Sequence, residues 1–358
     1  MTAESTQIKR ISQRDLEDLR RLEIEEEMQR TKLKRYWDHM KQHWIVYAIL
    51  LPSLIFFFAR NYLPILEILS AFKRSEAGGS TVNAPWFGLY AFNLIMSGQN
   101  AAEFWQAFRN TFAISMYGLL FGFPIPIFLA LLFSEIKIGA YRAVTQVMTY
   151  LPRFVSTVVI TSLIVLMFAS GNEQMGITPG ILHRVLQFFN AAEPYQNVLG
   201  HPRYFRSIFI VSGIWEGAGF GSIVYFAAIM AISPTSYEAA KIDGANKLAQ
   251  IRYVTLPGMA PTLTIMLILR IGSVLSVGFE QIMLMTAGQQ TYVLQSADVI
   301  STLVVRWGGI GIDGSSGLSP DVALALATAA DLFNSLIAMF LVLGANFISR
   351  RVSNTSLF

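Results

Sequence analysis

Cysteine is absent from this chain, which excludes disulfides and thiolate metal sites. Histidine is scarce: His39, His43, His183 and His201 are too scattered to suggest a metal cluster. Charge is scarce too, at 14% of 358 residues, against about a quarter in a soluble domain. With 53% hydrophobic residues and a mean hydropathy of +0.48, this is the composition of a membrane protein. The net charge of +4 argues against a nucleic-acid partner and fits basic residues on the cytoplasmic side of a membrane. No Gly-x-x-x-x-Gly-Lys-Ser/Thr loop occurs, so any ATP is used by another chain. Gly309 to Gly314 has dinucleotide-loop spacing, but no strand precedes it and no helix opens from it, so it is dismissed. Paired histidines at membrane depth and His-Glu-x-x-His are both missing, which leaves no catalytic residue, metal or cofactor to assign.

What is present is hydrophobic sequence in long runs. Six segments are long enough to cross roughly 30 Å of hydrocarbon: Trp44–Phe72, Phe108–Phe133, Ala143–Ser170, Ser207–Ile232, Pro261–Ala287 and Asp321–Ser349. Pro52 and Pro64 are expected to bend the first, and Phe123-Pro124-Ile125-Pro126 to break the second. Leu151-Pro152-Arg153 lies in the first half of the third. The fold class expected is all-α and polytopic, with six transmembrane helices.

Lys and Arg in the loops set the orientation. With the amino terminus inside, the inner segments hold Lys32, Lys34, Arg35 and Lys41, then Lys137 and Arg142, then Lys241, Lys247 and Arg252, then Arg350 and Arg351. The outer loops hold Lys73 and Arg74, then Arg184, Arg203 and Arg206, then Arg306. Both termini are therefore expected in the cytoplasm, as is the polar stretch around Glu238. The outer loops Lys73–Ala107, Asn172–Arg206 and Gln289–Pro320 are long; they read as connectors or as a docking face for a solute receptor.

The polar stretch, residues 233–257, carries the sharpest pattern. Glu238-Ala239-Ala240-Lys241-Ile242-Asp243-Gly244 is followed after nine residues by Val254-Thr255-Leu256-Pro257. Ser233-Pro234-Thr235 ends one helix and starts the next, with Thr235 or Ser236 as cap and Glu238 in the first turn. Gly244 ends or turns that helix. The picture is a short helix along a membrane face, offering a shallow bump to something in water. This stretch resembles the EAA loop of ABC importer permeases, and Val254 in place of the usual isoleucine is its one departure. The resemblance implies a cytoplasmic coupling helix seated on an ATP-hydrolysing subunit. It assigns coupling to Glu238, Ala239, Ala240, Asp243, Gly244, Leu256 and Pro257.

Asn110-Thr111-Phe112, Gly122-Phe123-Pro124-Ile125-Pro126, Tyr150-Leu151-Pro152 and Ile214-Trp215-Glu216 are similar to maltose-type carbohydrate importer permeases, in the branch for oligosaccharides or polysaccharide fragments. The likeness covers roughly residues 44–351. It implies the type I ABC importer permease fold in a bacterial inner membrane. It also implies a second homologous permease, two copies of an ATP-binding subunit, an extracytoplasmic solute-binding protein and an oligosaccharide substrate. The competing reading is an autonomous channel or secondary transporter for a polar solute, which needs no such loop.

Glu216, Arg270, Glu280 and Asp331 interrupt apolar runs, and charges there face a bundle interior or an aqueous path. Arg270 is placed to pair with Glu216 or Asp331, as a structural ion pair or as part of a substrate path. Trp215, Phe220 and Phe279 are aromatic candidates for that path, able to stack on sugar rings, or plain lipid and core contacts. Gly213, Gly217 and Gly221, four apart, read as a face for close helix packing.

Residues 1–43 form a charged arm, residues 44–351 the permease domain and residues 352–358 a short tail. Ser12 to Asp15 reads as a capping box opening a helix to about Met40, with too few apolar residues for a buried face. Deleting Met1 to Glu27 is therefore expected to leave membrane levels near normal, as judged by immunoblot of isolated membranes. Loss of the protein from the membrane would make the arm part of the fold.

Overall fold

The computed structural model describes residues 34, 36–74, 83–172, 174–193, 196–286, 290–308 and 320–352. Nearly all of the arm and tail, and Gly309–Gly314, lie outside these. The chain forms two units, Met1–Glu67 and Ile68–Phe358. Among the described residues the structure is helical, with two isolated bridges, Lys73 with Trp86 and Asn172 with Ile177. Four helices are long and apolar enough to cross a membrane, and six spans result if each of two bent pairs counts as one.

In the first unit the Trp44–Asn61 helix carries Pro52 in its interior. The chain tightens into a 3-10 run, Leu63–Phe72, one residue before Pro64, which cannot donate to an α-helical ladder.

The second unit is built around the Pro202–Met230 helix, which packs on Pro124–Glu135, Gly139–Tyr150, Ala101–Gly122 and Gln290–Ala297. The second span starts at Ala101 rather than Phe108, because Glu103 and Arg109 are accommodated within the helix. Pro124 begins a new helix, yet Ala101–Glu135 stays one span, so the expected break is a slight one. The third span is not continuous. Gly139–Phe154 and Thr157–Met167 meet at 98°, where Pro152 removes a donor and Val155 and Ser156 turn extended.

The fifth segment also differs from expectation. Its helix stops at Gly272, and Ser273–Gly278 is unwound before Phe279–Thr286 resumes. Carbonyls freed in the gap are met by side chains: Asn334 Nδ2 donates to Leu275 O at 3.4 Å and Ser301 Oγ donates to Val277 O at 2.6 Å. The segment expected to be an outer loop holds two helices, Gln290–Ala297 and Ile300–Trp307, among its described residues. Ile300, Leu303 and Trp307 pack with Phe104, Leu326 and Ala330 in a buried cluster. The amphipathic piece expected near Ile181 is a helix, Ile181–Phe188, with His183 fully buried and hydrogen bonded to Gln196 O at 2.9 Å.

Polar residues pin the two helices Gln290–Ala297 and Ile300–Trp307 to the spans. Asn110 Nδ2 donates to Asp298 O at 2.8 Å, and Arg206 Nη2 donates to Asn110 Oδ1 at 2.7 Å. Thr111 Oγ1 accepts from Ile300 N at 2.9 Å. The buried Asp298 carboxylate accepts from Arg306 at 2.6 Å and Thr302 at 2.7 Å, while Arg306 also reaches Glu103 at 2.8 Å. Burial pushes the Asp298 pKa up to about 6, outweighing the pull of Arg306 and Thr302, and the Glu103 charge adds to the rise.

The glycine stripe needs a correction. A Cβ at Gly213 or Gly217 would meet nothing within 4 Å, and one at Gly221 would make ordinary contact with Pro126 at 3.6 Å. The close approach is at Gly219, where a Cβ would lie 2.1 Å from Thr149 O. Gly219→Ala is expected to destabilise the chain by about 1–3 kcal/mol, while Gly217→Ala stays within about 0.5 kcal/mol. Thermal unfolding in detergent compares them, and equal midpoints would refute the close packing. A raised carboxyl pKa gives stability that is present below the ordinary Asp value and lost as pH rises towards about 6. Wild type should therefore lose stability relative to Asp298→Asn between pH 4 and pH 7. A constant gap, or one moving the other way, would contradict this.

Candidate functional site

The polar stretch forms a helix, Pro234–Ile242, directly after the central helix ends. Ser233 is the residue before it, but no side chain caps it, and Ser233 and Thr235 hydroxyls bond each other at 2.7 Å. The expected capping by Thr235 or Ser236 does not occur. Pro234 occupies the first position, where its missing N–H costs nothing. The helix thus starts early, and Glu238 falls in the second turn rather than the first.

Its other end is tightly built. Gly244 has φ +78°, its N–H donates to Lys241 O at 3.0 Å, and Ala245 N–H donates to Ala240 O at 2.9 Å. This pair of bonds is the Schellman arrangement, which needs a left-handed residue at the position of Gly244. A Cβ there would meet nothing within 4 Å, so backbone conformation and not space demands the glycine. Asn246 Oδ1 then caps the next helix by accepting from Ala249 N at 2.9 Å, and Gln250 Nε2 donates back to Ala245 O at 2.9 Å. Tyr237 bonds the buried Thr255 hydroxyl at 3.1 Å, and Lys247 pairs with Glu135 at 2.6 Å. The short helix is therefore tied to two spans. A π-helical turn, Ile251–Thr255, leads into Leu256-Pro257, and the chain bends by 66° into Ala260–Gly272. Glu238, Ala239, Asp243 and Gly244 are exposed, while Ala240 is half-buried. Ile242 is 86% exposed and Leu248 77%, so apolar side chains flank the bump.

The second feature is a cavity of about 540 Å³ beside the central helix. Its walls come from five sources: the Ala101–Gly122 helix, the start of the Pro124–Glu135 helix, the Leu151–Phe154 turn, the central helix and the broken fifth span. Gly118, Gly122, Gly213 and Gly217 line it, so backbone replaces side chain along much of the wall. Arg153, Glu216 and Arg270 bring charge into it, and Gln281 adds an amide. Arg153 Nη1 pairs with Glu216 Oε1 at 2.8 Å, with the Glu216 side chain 12% exposed. The expected partnership of Arg270 with Glu216 or Asp331 is not formed. Among the described residues Arg270 has no ion pair. Its Nη2 lies against the chain at Gly122, 3.4 Å from where a Cβ would be.

The other sequence-derived path residues are elsewhere. Trp215 lines a separate apolar groove with Leu163, Met167, Leu186 and Val211. Phe279 and Glu280 are exposed at the start of the Phe279–Thr286 helix, where its dipole favours a carboxylate. Asp331 is exposed on the last helix and lines neither hollow. Arg153 and Gln281 were missed. Arg153 carried a signal, since an arginine after a proline inside an apolar run marks a helix break. Gln281 carried none.

A family model described as "Binding-protein-dependent transport system inner membrane component" matches residues 122–353. The chain is similar to Protein LplB of Bacillus subtilis (strain 168), 30% identical over 89% of this chain and 92% of the relative. It is also similar to the polygalacturonan/rhamnogalacturonan transport system permease protein YteP of the same organism, 30% identical over 91% and 94%. Among solved structures, a chain of a bacterial ABC transporter involved in the import of the acidic polysaccharide alginate is 38% identical, with a TM-score of 0.73 over 89% of this chain and 99% of that one. A chain of the bacterial alginate transporter in complex with a periplasmic protein carrying alginate pentasaccharide is 37% identical, with a TM-score of 0.74 over 90% and 99%.

Proposed function

The chain belongs to the binding-protein-dependent transport system inner membrane components, and from that premise we propose that it is the permease subunit of an ATP-driven importer of oligosaccharides or polysaccharide fragments. The substrate class follows the relatives, which are named for polygalacturonan, rhamnogalacturonan and alginate. The chain forms the path, and ATP hydrolysis belongs to partner subunits. Two ATP-binding subunits, a second homologous permease and an extracytoplasmic solute-binding protein complete the machine. The six-span permease domain is residues 44–351, both termini are cytoplasmic, and so is the Glu238 loop.

One observation carries the mechanism. The Glu238–Gly244 bump is exposed, stopped by a Schellman turn and bonded to the spans through Tyr237, Gln250 and Lys247. An element held this way passes displacement on to the spans, whereas a slack loop absorbs it. When ATP draws the two ATPase subunits together, the bump moves with the cleft that holds it. The spans then switch between inward-open and outward-open states. Glu238, Ala239, Ala240, Asp243 and Gly244 form the contact, and Leu256 and Pro257 pass its motion into the fifth span. Of the path residues, Glu216 and Arg270 face the cavity and are assigned to it, together with Arg153.

Gly244→Leu forces a left-handed backbone on a residue that resists it by roughly 1–2 kcal/mol, while Gly244→Asn adopts it more readily. Uptake into proteoliposomes should fall about tenfold or more for leucine and far less for asparagine, with insertion unchanged in both. Unchanged uptake in Gly244→Leu would remove the coupling role.

A further inference from the structure

We propose that the glycine-lined cavity is a subsite for a carboxylated sugar unit, with Arg270 as the receptor of its carboxylate. The proposal rests on the permease reading above and adds the charge of the cargo and the residue that reads it.

Charge balance is the first reason. The cavity holds two guanidinium groups and one carboxylate, and the carboxylate is already used: Glu216 is paired with Arg153 at 2.8 Å. Arg270 is left over as a cation without an ion pair among the described residues, on a helix of otherwise apolar character, Ala260–Gly272. A charge at such depth is costly and is kept where it faces an aqueous path or a ligand. A neutral sugar can accept hydrogen bonds from the guanidinium but leaves its charge unmet. A carboxylate needs the spare guanidinium, since the planar fork accepts both oxygens in parallel bonds.

Room is the second reason. The volume of about 540 Å³ falls in the range of small-molecule sites. A Cβ at Gly118, Gly213 or Gly217 would meet nothing within 4 Å, so the wall of the cavity that holds Arg270 is open at these three positions. Phe220 lines the same cavity and is held edge-on by Phe154, with ring centroids 5.9 Å apart. Its ring gives the apolar face of a pyranose a surface to rest on. Arg153, by contrast, is committed: moving it would leave the largely buried Glu216 carboxylate unpaired. The Arg153–Glu216 pair therefore holds the bent third span against the central helix, and Arg270 is the group that is free to bind.

The absence of cysteine makes a direct test available. In the complete transporter in proteoliposomes, Ser273→Cys and, separately, Gly118→Cys place a single thiol of this chain on the cavity wall. Labelling by a neutral maleimide is followed with a uronic-acid pentasaccharide or its carboxyl-reduced, neutral counterpart present. The acidic sugar should protect the thiol at a concentration about tenfold or more below the neutral one. Arg270→Gln should bring the two together, and Arg270→Lys, which keeps charge without the fork, should give an intermediate ratio. An unchanged ratio in these variants overturns the proposal. So does a lack of protection at both thiols while ATP-driven uptake of either sugar persists, a result that leaves the importer reading intact. If no sugar of either kind is taken up by the unmodified transporter, the importer reading itself falls.

Discussion

A backbone carbonyl freed inside an apolar bundle has to be met by another group of the protein, because hydrocarbon offers nothing to bond. This constraint shapes the centre of the molecule. The fifth span opens at Ser273–Gly278, and the opening is tolerated because Asn334 and Ser301 reach in from two other helices. The third span bends by 98° at Pro152, where the residue lacks the N–H that a straight helix would have used. Both irregular stretches lie at the wall of one cavity and deliver Arg153 and Ser273 to it, with Gln281 following on the resumed helix. Irregular backbone from two spans thus meets at one hollow.

The central helix supports this arrangement by having two different small-residue faces. At Gly219 it lies against the backbone of Thr149, with no room for a methyl group. At Gly213 and Gly217 the same helix faces open space. Close packing on one side brings the bent third span within reach, so that Arg153 meets Glu216 across 63 residues of sequence. That Arg270 has no ion pair among the described residues follows from that pairing, since the one carboxylate of the cavity is taken.

At the other end of the bundle, the same economy of contacts makes the Glu238 loop stiff. Its helix is nine residues long, Pro234–Ile242, which is too short to be stable alone. It stands because the Gly244 turn closes its carbonyls and because Tyr237 and Gln250 bind it to the chain that follows. Among the described residues nothing covers Ile242 at its end or Leu248 on the helix that follows. The Gln290–Trp307 helices are held differently, by the buried Asp298 with Arg306 and Glu103 and by Asn110 and Thr111.

The sequence by itself determined the helical class, the number of apolar segments and the place of the Glu238 helix. These depend on hydrophobic run length, on proline and glycine chemistry and on the spacing of a few residues, all of which are local. Even the Gly244 turn was legible, because only glycine adopts a left-handed conformation without strain. The tertiary structure alone decided the rest. Glu216 pairs with Arg153 and not with Arg270, and Trp215, Phe279, Glu280 and Asp331 lie outside the cavity. Gly219, not the regular stripe beside it, is the tight contact. The fifth segment is continuous in hydropathy but broken in space. Each of these outcomes depends on which helices cross and at what height. An ion pair or a close backbone approach is a relation between distant parts of the chain, and hydropathy along one segment carries no record of what lies across from it.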